Sequence, residues 1–174
     1  DRVMDGYEQY FTMYTVDYLA AWDSATGDDS FTDNNYFRLM AHRTAYRWHK
    51  GIIIGSKRLQ QTVTQLTGLY RDSDPQMAGL ARWLVDQASM GGYQTFEVLV
   101  IADLAVEPIH PKDIDWMPLG KTLRGDDICH SRSTWEPDAT CVQLFTRTID
   151  SHRHEPQVGG LHIVRNGKPL VMRG

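Results

Sequence analysis

The feature that most constrains the fold of this chain is a change of hydrophobic period near residue 105. Before it, apolar residues recur at spacings of three and four, as in GYEQYFTMYTVDYLAAW, which is the pattern of an amphipathic helix. After it, CVQLFTRTI and LHIVRNGKPLVM alternate or run apolar with many β-branched residues, which predicts strands. Asn166-Gly167 lies inside the second run and predicts a two-residue hairpin turn. Helices followed by antiparallel strands predict an α+β protein.

The same change of period predicts the domain organisation. Residues 1–105 are predicted to be a helical segment, 106–120 a proline-rich connector, and 121–174 a domain of antiparallel β-sheet. Three further helices are predicted in the first segment, and TFEVLVIADL fits either a helix or a strand. Successive helical hairpins are compatible with part of a toroid or solenoid. The predicted helices are NYFRLMAHRTAYRWHK, SKRLQQTVTQLTGLY and DSDPQMAGLARWLVDQAS.

Composition and charge exclude several classes of protein. The formal net charge of −4 argues against a general nucleic-acid binder, and no apolar run approaches the length of a membrane-spanning helix. Serine-hydrolase, P-loop and dinucleotide-binding motifs are missing from the sequence. Cys129 and Cys141 are too few for a disulfide framework, so free thiols are favoured. The chain begins at Asp1 without a methionine, and we expect either an excised segment of a longer protein or a mature, processed piece.

The pair His152 and His154 is the first group that could carry chemistry. In a strand, residues two apart project from the same face, so the two imidazoles could hold a metal or an oxyanion together. A solvated basic turn is the alternative interpretation. Glu155, Asp150 and His162 are nearby candidates for the further ligands that a metal would require.

Tyr10 and Tyr14 form the second group, on one face of the first predicted helix. Core packing or aromatic stacking would explain them, whereas a catalytic tyrosine would need cationic neighbours, because an unperturbed phenol has a pKa of about 10. Arg38 and His42, together with Arg43, lie on the next helix and could form a ridge that faces an anion, and a solvated basic face is the alternative interpretation.

Residues 118–174 resemble the heparinase II/III-like polysaccharide lyases. The resemblance is carried by three motifs in the same order and spacing as in that family: RSTWEPDAT at 132–140, the H-x-H motif at 152–154, and NGKPL at 166–170. A shorter match places DGYEQYFTMY at the family segment in which a D-G turn precedes a helix with two tyrosines. On that match Tyr14 falls at the catalytic tyrosine.

The resemblance implies a fold and a reaction. The fold would be part of an α/α toroid followed by the start of an antiparallel β-sandwich. The reaction would be β-elimination on an anionic, uronic-acid-containing polysaccharide, in which cationic or hydrogen-bonding groups neutralise the carboxylate beside the acidic proton. Tyr14 would act as acid and base and His152 as its partner. The neutralising Asn or His would lie upstream of Asp1. Residues expected to contact substrate are Tyr10, Arg38, His42, Arg132 and Arg153.

Other properties follow from the same resemblance. No cofactor is required for the reaction, although some relatives hold a structural zinc, for which His154 is the candidate ligand here. The acidic ligand expected after it falls near Met172 and Arg173, and the segment EPQVGGL after the H-x-H motif also departs from the family pattern. No nucleic-acid or membrane partner is expected, assembly into a homo-oligomer stays open, and the family suggests a periplasmic or secreted bacterial protein, with the cytoplasm as an alternative.

Two other interpretations remain open at the level of sequence. One is a catalytically silent carbohydrate-binding relative that keeps a basic and aromatic cleft. The other is a metal-dependent hydrolase that uses the H-x-H pair, which the count of candidate ligands does not favour.

Overall fold

The computed structural model describes residues 8–33, 35–48, 57–87, 96–123, 128–146 and 159–173. The chain folds into two compact units. The helical unit comprises the described residues of 4–45 and 53–114, and the sheet unit those of 46–52 and 115–174. The end of the second helix and the residue after it, Tyr46 to Trp48, therefore belong with the strands.

Five α-helices occur among the described residues, and the four predicted from helical periodicity are confirmed. The segment that fitted either a helix or a strand is also helical. Short 3₁₀ turns occur at Ser30–Asp33 and Pro111–Asp113. The helices are α1 (Glu8–Thr26), α2 (Asn35–Arg47), α3 (Lys57–Leu69), α4 (Pro75–Gln87) and α5 (Phe96–Ile101).

Helix α3 lies at the centre of the helical unit, in contact with α1, α4 and α5. It is buried along most of its length although more than half of its residues are polar, and several of its hydroxyl and amide groups have hydrogen-bond partners inside the unit. Thr64 donates to the carbonyl of Gln60 at 2.8 Å, and the Gln65 amide donates to Asp17 of α1 at 2.6 Å. At Gly68 the helix comes so close to α5 that an added Cβ would overlap the carbonyl oxygen of Ile101.

The strands form one antiparallel sheet in the order β1-β2-β3-β4-β5, so every strand pairs with its neighbours in sequence. The predicted turn at Asn166-Gly167 is confirmed: the two residues have φ of 49° and 73°, and Arg165 pairs with Lys168 across them. The strands are β1 (Gly120–Leu123), β2 (Ile128–Arg132), β3 (Thr140–Phe145), β4 (Leu161–Arg165) and β5 (Lys168–Arg173).

The RSTWEPDAT motif forms the end of β2, the loop from β2 to β3, and the start of β3. The Ser133 amide donates to the carbonyl of Thr140, and the Thr140 amide donates to the Ser133 hydroxyl, each at 3.0 Å. Trp135 is buried, and its indole N–H donates to the carbonyl of Met117 at 3.2 Å. The motif therefore closes a hairpin and places an indole in the core of the sheet unit.

The expectation of part of an α/α toroid followed by the start of a β-sandwich is wrong, although the coarser α+β class is compatible with the structure. The described residues supply five α-helices and one five-stranded antiparallel sheet. A chain of 174 residues is too small for a ring of helical hairpins together with two packed sheets. Periodicity reports which face of an element is buried, but it does not report how many elements share the core.

Candidate functional site

A row of aromatic side chains lies on the surface of α1. Tyr14, Tyr18 and Trp22 are 63%, 61% and 44% exposed, while Val16 on the opposite side of the helix is fully buried. Steps of four residues turn a helix by only about 40°, so the three rings follow one another along a single face. These three residues are called the aromatic row below. Large aromatic groups exposed together are uncommon on protein surfaces and mark binding sites.

The rings at the C-terminal end of the row are held in position. Tyr18 and Trp22 stack with ring centroids 6.3 Å apart and planes inclined by 28°. The Trp22 indole N–H donates to Oδ2 of Asp28 at 3.3 Å, and the amide of Ser30 donates to Oδ1 of the same carboxylate at 3.0 Å. The indole therefore has a fixed orientation although it faces solvent.

The end of α1 creates the loop that carries Asp28. Gly27 adopts φ of 69° and its amide donates to the carbonyl of Asp23 at 2.7 Å, which is a glycine C-cap. The Thr26 hydroxyl donates to the carbonyl of Trp22 at 2.8 Å and accepts from the Asp28 amide at 3.1 Å. The chain thus turns back at residue 27 and presents a carboxylate to the last ring of the row.

The Asp28 carboxylate is ionised at neutral pH. Hydrogen bonds from Ser30 lower its pKa below the usual range for aspartate, and the Trp22 indole adds to the effect. The uncharged residues Ala21 and Ala25 are exposed beside the rings. The site therefore consists of three aromatic rings with one fixed negative charge at its end.

The two tyrosines predicted to act in catalysis and binding both lie in α1. Tyr14 is the first member of the aromatic row, with its side chain exposed. Tyr10 lies one turn earlier in the helix, and its side chain is outside the described part of the chain. His152, Arg153 and His154 also lie outside the described residues, in the sequence between β3 and β4.

Arg38 and His42, the predicted anion-facing ridge, lie one turn apart in α2 and are partly buried. The Arg38 guanidinium pairs with the carboxylate of Asp74 at 3.4 Å and lies 6.0 Å from the ring centroid of Tyr70. About a third of the Arg38 side chain remains accessible. Any anion that binds there would have to share the guanidinium with Asp74.

Arg132, predicted to contact substrate, is 4% exposed in the sheet unit. Its guanidinium carbon lies 5.7 Å and 4.2 Å from the ring centroids of Trp48 and Trp135. It donates to the carbonyls of Thr134 at 2.6 Å and Trp48 at 3.3 Å. These contacts hold the β2–β3 loop against the residues after α2, and its role in substrate binding stays a prediction.

Sequence reasoning did not single out Tyr18, Trp22 and Asp28 as candidates for a binding site. The aromatic spacing in α1 was interpreted as an amphipathic stripe, whereas the structure exposes these rings and buries Val16 instead. A signal was present, because the row is followed directly by the glycine and aspartates that end the helix. A carboxylate in the polar segment after the row can accept a hydrogen bond from an exposed indole and hold its orientation.

No metal site or membrane span was found in the residues that the structure describes. Within those ranges no three His, Cys, Asp or Glu side chains are close enough together to hold an ion. The described helices include none that is both long and apolar enough to cross a bilayer. The zinc prediction depends on His154, which lies outside those ranges.

Comparisons with known proteins gave no match to a protein-family model, to a curated protein or to a solved structure.

Proposed function

We propose that this chain is part of a polysaccharide lyase that cleaves a uronic-acid-containing polymer by β-elimination. The observation that carries the proposal is the exposed Tyr14 at the head of the aromatic row. A pyranose ring has an apolar face of C–H groups that stacks on aromatic side chains, so the row suits a chain of sugars. The phenol of Tyr14 would then lie beside a sugar that is already bound.

In the proposed reaction a base removes the proton at C5 of the uronate, and the C4–O bond breaks to give an unsaturated sugar. The leaving oxygen takes a proton, so no water enters the products. Tyr14 is assigned as the acid and base, and His152 as its assisting base. A positioned acid or base of this kind typically accelerates a reaction by about 10²- to 10⁴-fold.

A carbohydrate-binding protein without catalysis is the second candidate. The fixed indole of Trp22 favours it, because an oriented ring contributes to binding whether or not a reaction follows. The two candidates share the aromatic row and differ in the role of the Tyr14 hydroxyl.

Deletion of the Tyr14 hydroxyl tests the proposal. The full chain would be incubated with a panel of uronate polymers, and the ultraviolet absorbance of unsaturated products followed with time. Tyr14→Phe and His152→Ala should each lower the rate by about 100-fold or more. Tyr36→Phe, which removes a hydroxyl from a half-buried ring in α2, is the matched control and should keep the original rate.

Two results would count against the assignment. An unchanged rate in Tyr14→Phe would exclude Tyr14 as the acid and base. Binding of polymers without any gain in absorbance across the panel would favour the second candidate.

A further inference from the structure

We propose that one face of the β-sheet is a docking surface for an acidic, amphipathic segment of another polypeptide. The aliphatic side chains of that segment would cover apolar residues of β3, β4 and β5, and its carboxylates would pair with Arg165 and Lys168. The inference concerns the sheet unit and goes beyond the proposed lyase function, which is assigned to Tyr14 and His152.

The register of the strands separates the two faces of the sheet. Residues that pair across strands project from the same face, and so do residues two apart in one strand. One face carries Cys141 and its pair Arg132, which are both buried in the core of the sheet unit. Five apolar residues project from the other face and are called the apolar face below: Val142, Leu144, Leu161, Ile163 and Val171.

The apolar face is continuous over three strands. Val142 pairs with Ile163, and Ile163 pairs with Val171, so three branched side chains form one row across the sheet. Leu144 pairs with Leu161 in a second row, about 7 Å further along the strands. None of the five is buried, and Leu144 is 40% exposed. A sheet face in contact with water normally carries polar side chains, so this face has the character of a contact surface.

The charged residues of this face are all basic. Arg165 and Lys168 pair with each other across the β4–β5 turn, one row beyond the row of Ile163, and both are exposed. Arg173 is paired with Leu161 and is the third charged residue in register with this face. A partner that fills the apolar rows therefore meets positive charge next to them.

The acidic residues of the neighbouring loop leave these cations accessible. Glu136 and Asp138 lie in the β2–β3 loop, at the same end of the sheet as the β4–β5 turn, and both are exposed. In the part of the chain that the structure describes, neither carboxylate forms an ion pair with Arg165 or Lys168. Acidic groups of a partner would complement the two cations, and such pairs direct orientation and association rate more than affinity.

Other occupants fit this face less well. A second copy of the chain would bring the same basic residues and no acidic ones, so its charges would not complement the face. Lipid interfaces are anchored chiefly by Trp and Tyr, and sugars stack on aromatic rings. The strand positions in register with this face hold no aromatic residue. An aliphatic and acidic polypeptide matches both the apolar rows and the basic residues.

The first experiment identifies the preferred chemistry without assuming a sequence. A phage library of random peptides of about 12 residues would be panned against the immobilised full chain. We expect the enriched peptides to be rich in both Leu, Ile or Val and Asp or Glu. The most enriched peptide would then be synthesised with a fluorescent label, and its Kd measured by anisotropy.

Two sets of variants test the apolar face and the basic residues separately. Leu144→Ser should raise Kd by about 3- to 10-fold, whereas Leu99→Ser, at a 64% exposed position on α5, should leave it unchanged. Arg165→Glu combined with Lys168→Glu should raise Kd at least about tenfold at low salt and remove the weakening of binding by added salt. Lys112→Glu reverses an exposed charge in the 3₁₀ turn Pro111–Asp113 and is the matched control.

The charge variants keep the test valid if Leu144→Ser fails to fold, because exposed basic residues can be replaced with little effect on the melting temperature. Enrichment of no peptide, or of peptides without an acidic bias, would overturn the inference. An unchanged Kd in both sets of variants would also overturn it. Dimerisation, or binding to phosphatidylserine vesicles, that is lost in Leu144→Ser would assign the face to a second copy or to lipid instead.

Discussion

Arg132 is predicted from the sequence to contact substrate, whereas in the structure its guanidinium contacts other residues of the sheet unit. The guanidinium is buried between Trp48 and Trp135 and donates to two backbone carbonyls. Burial lowers the pKa of Arg132 from its usual value, and the neighbouring Cys141 and Tyr46 oppose that shift. The two indole rings and the two carbonyl acceptors offset part of the cost of burying its charge.

Removal of Arg132 is expected to destabilise the sheet unit. Arg132→Ala would leave the carbonyls of Thr134 and Trp48 without their donor and open a cavity between two indoles. The free energy of unfolding should fall by about 3 kcal/mol. Arg165→Ala, at an exposed position on β4, should change it by less than about 0.5 kcal/mol. Urea denaturation followed by fluorescence measures both, and equal effects would show that the Arg132 contacts add nothing to stability.

Two buried tyrosines are expected to make the chain less stable at alkaline pH. Burial raises the pKa of Tyr46 and of Tyr70 to about 12 in each case, and the arginine beside each ring opposes the shift. Because the folded pKa lies above the unfolded value of about 10, the resulting stability is complete below pH 10. It is lost as the pH rises from there toward 12.

A spectrophotometric titration of tyrosinate checks this dependence. The exposed tyrosines should ionise first, and a late step should accompany loss of structure. Tyr46→Phe should reduce the amplitude of the late step, and it also removes the hydrogen bond from the Tyr46 hydroxyl to the carbonyl of Pro118 at 2.6 Å. Complete ionisation in one step near pH 10, with the fold intact, would contradict the assignment.

The environment of Arg132 could not have been predicted from its motif. One of its acceptors, Trp48, is 84 positions away in the sequence, so local pattern carries no information about that contact. The same holds for Arg38 of α2 and Tyr70, the residue after α3, which are distant in the sequence and meet in the folded chain. Residue types and spacing indicated candidates for chemistry, but burial decided which charges remain accessible.

At the scale of helices and turns, local sequence patterns predicted more of the structure than they did at the scale of single residues. The helices were predicted from apolar spacing, α4 also from Pro75 near its start, and the β4–β5 turn from Asn166-Gly167. These features depend on backbone preferences within a few residues. The orientation of α1 could not be predicted in the same way. Its apolar residues surround much of the helix, and contact with α3 and α5 is what buries the side of Val16.

The close approach of α3 and α5 makes Gly68 sensitive to substitution. A methyl group there would overlap the carbonyl oxygen of Ile101, and neither backbone can move far without disturbing its own helix. Gly68→Ala should therefore lower the free energy of unfolding by about 2 kcal/mol, despite the better helix propensity of alanine. In Gly120→Ala the added group would make only ordinary contacts of 3.7 Å or more, and the change should be small. Thermal denaturation of both variants measures the difference, and a Gly68→Ala variant as stable as the parent would rule out the close contact.

At the scale of the whole molecule, the sequence predicted the order of helices before strands and failed on the architecture. The α+β class follows from the change of period near residue 105, whereas the toroid and β-sandwich came from the resemblance and are not compatible with one five-stranded sheet. The five described strands pair in sequence order and form a single sheet. The alternation of apolar and polar residues along a strand does not indicate how many sheets the strands will form. The function proposed here therefore rests on the site in α1 and on the motif chemistry, and not on the overall fold.

The most direct test of the central claim is the mass balance of the products. The full chain would be incubated with a panel of uronate-containing polymers in ¹⁸O-labelled water, and the new chain ends analysed by mass spectrometry. Elimination through Tyr14 predicts an unsaturated uronate at each new non-reducing end, no ¹⁸O introduced by cleavage, and loss of these products in Tyr14→Phe. Saturated ends with one ¹⁸O for each cleavage, formed at the same rate in Tyr14→Phe, would show hydrolysis and contradict the proposal.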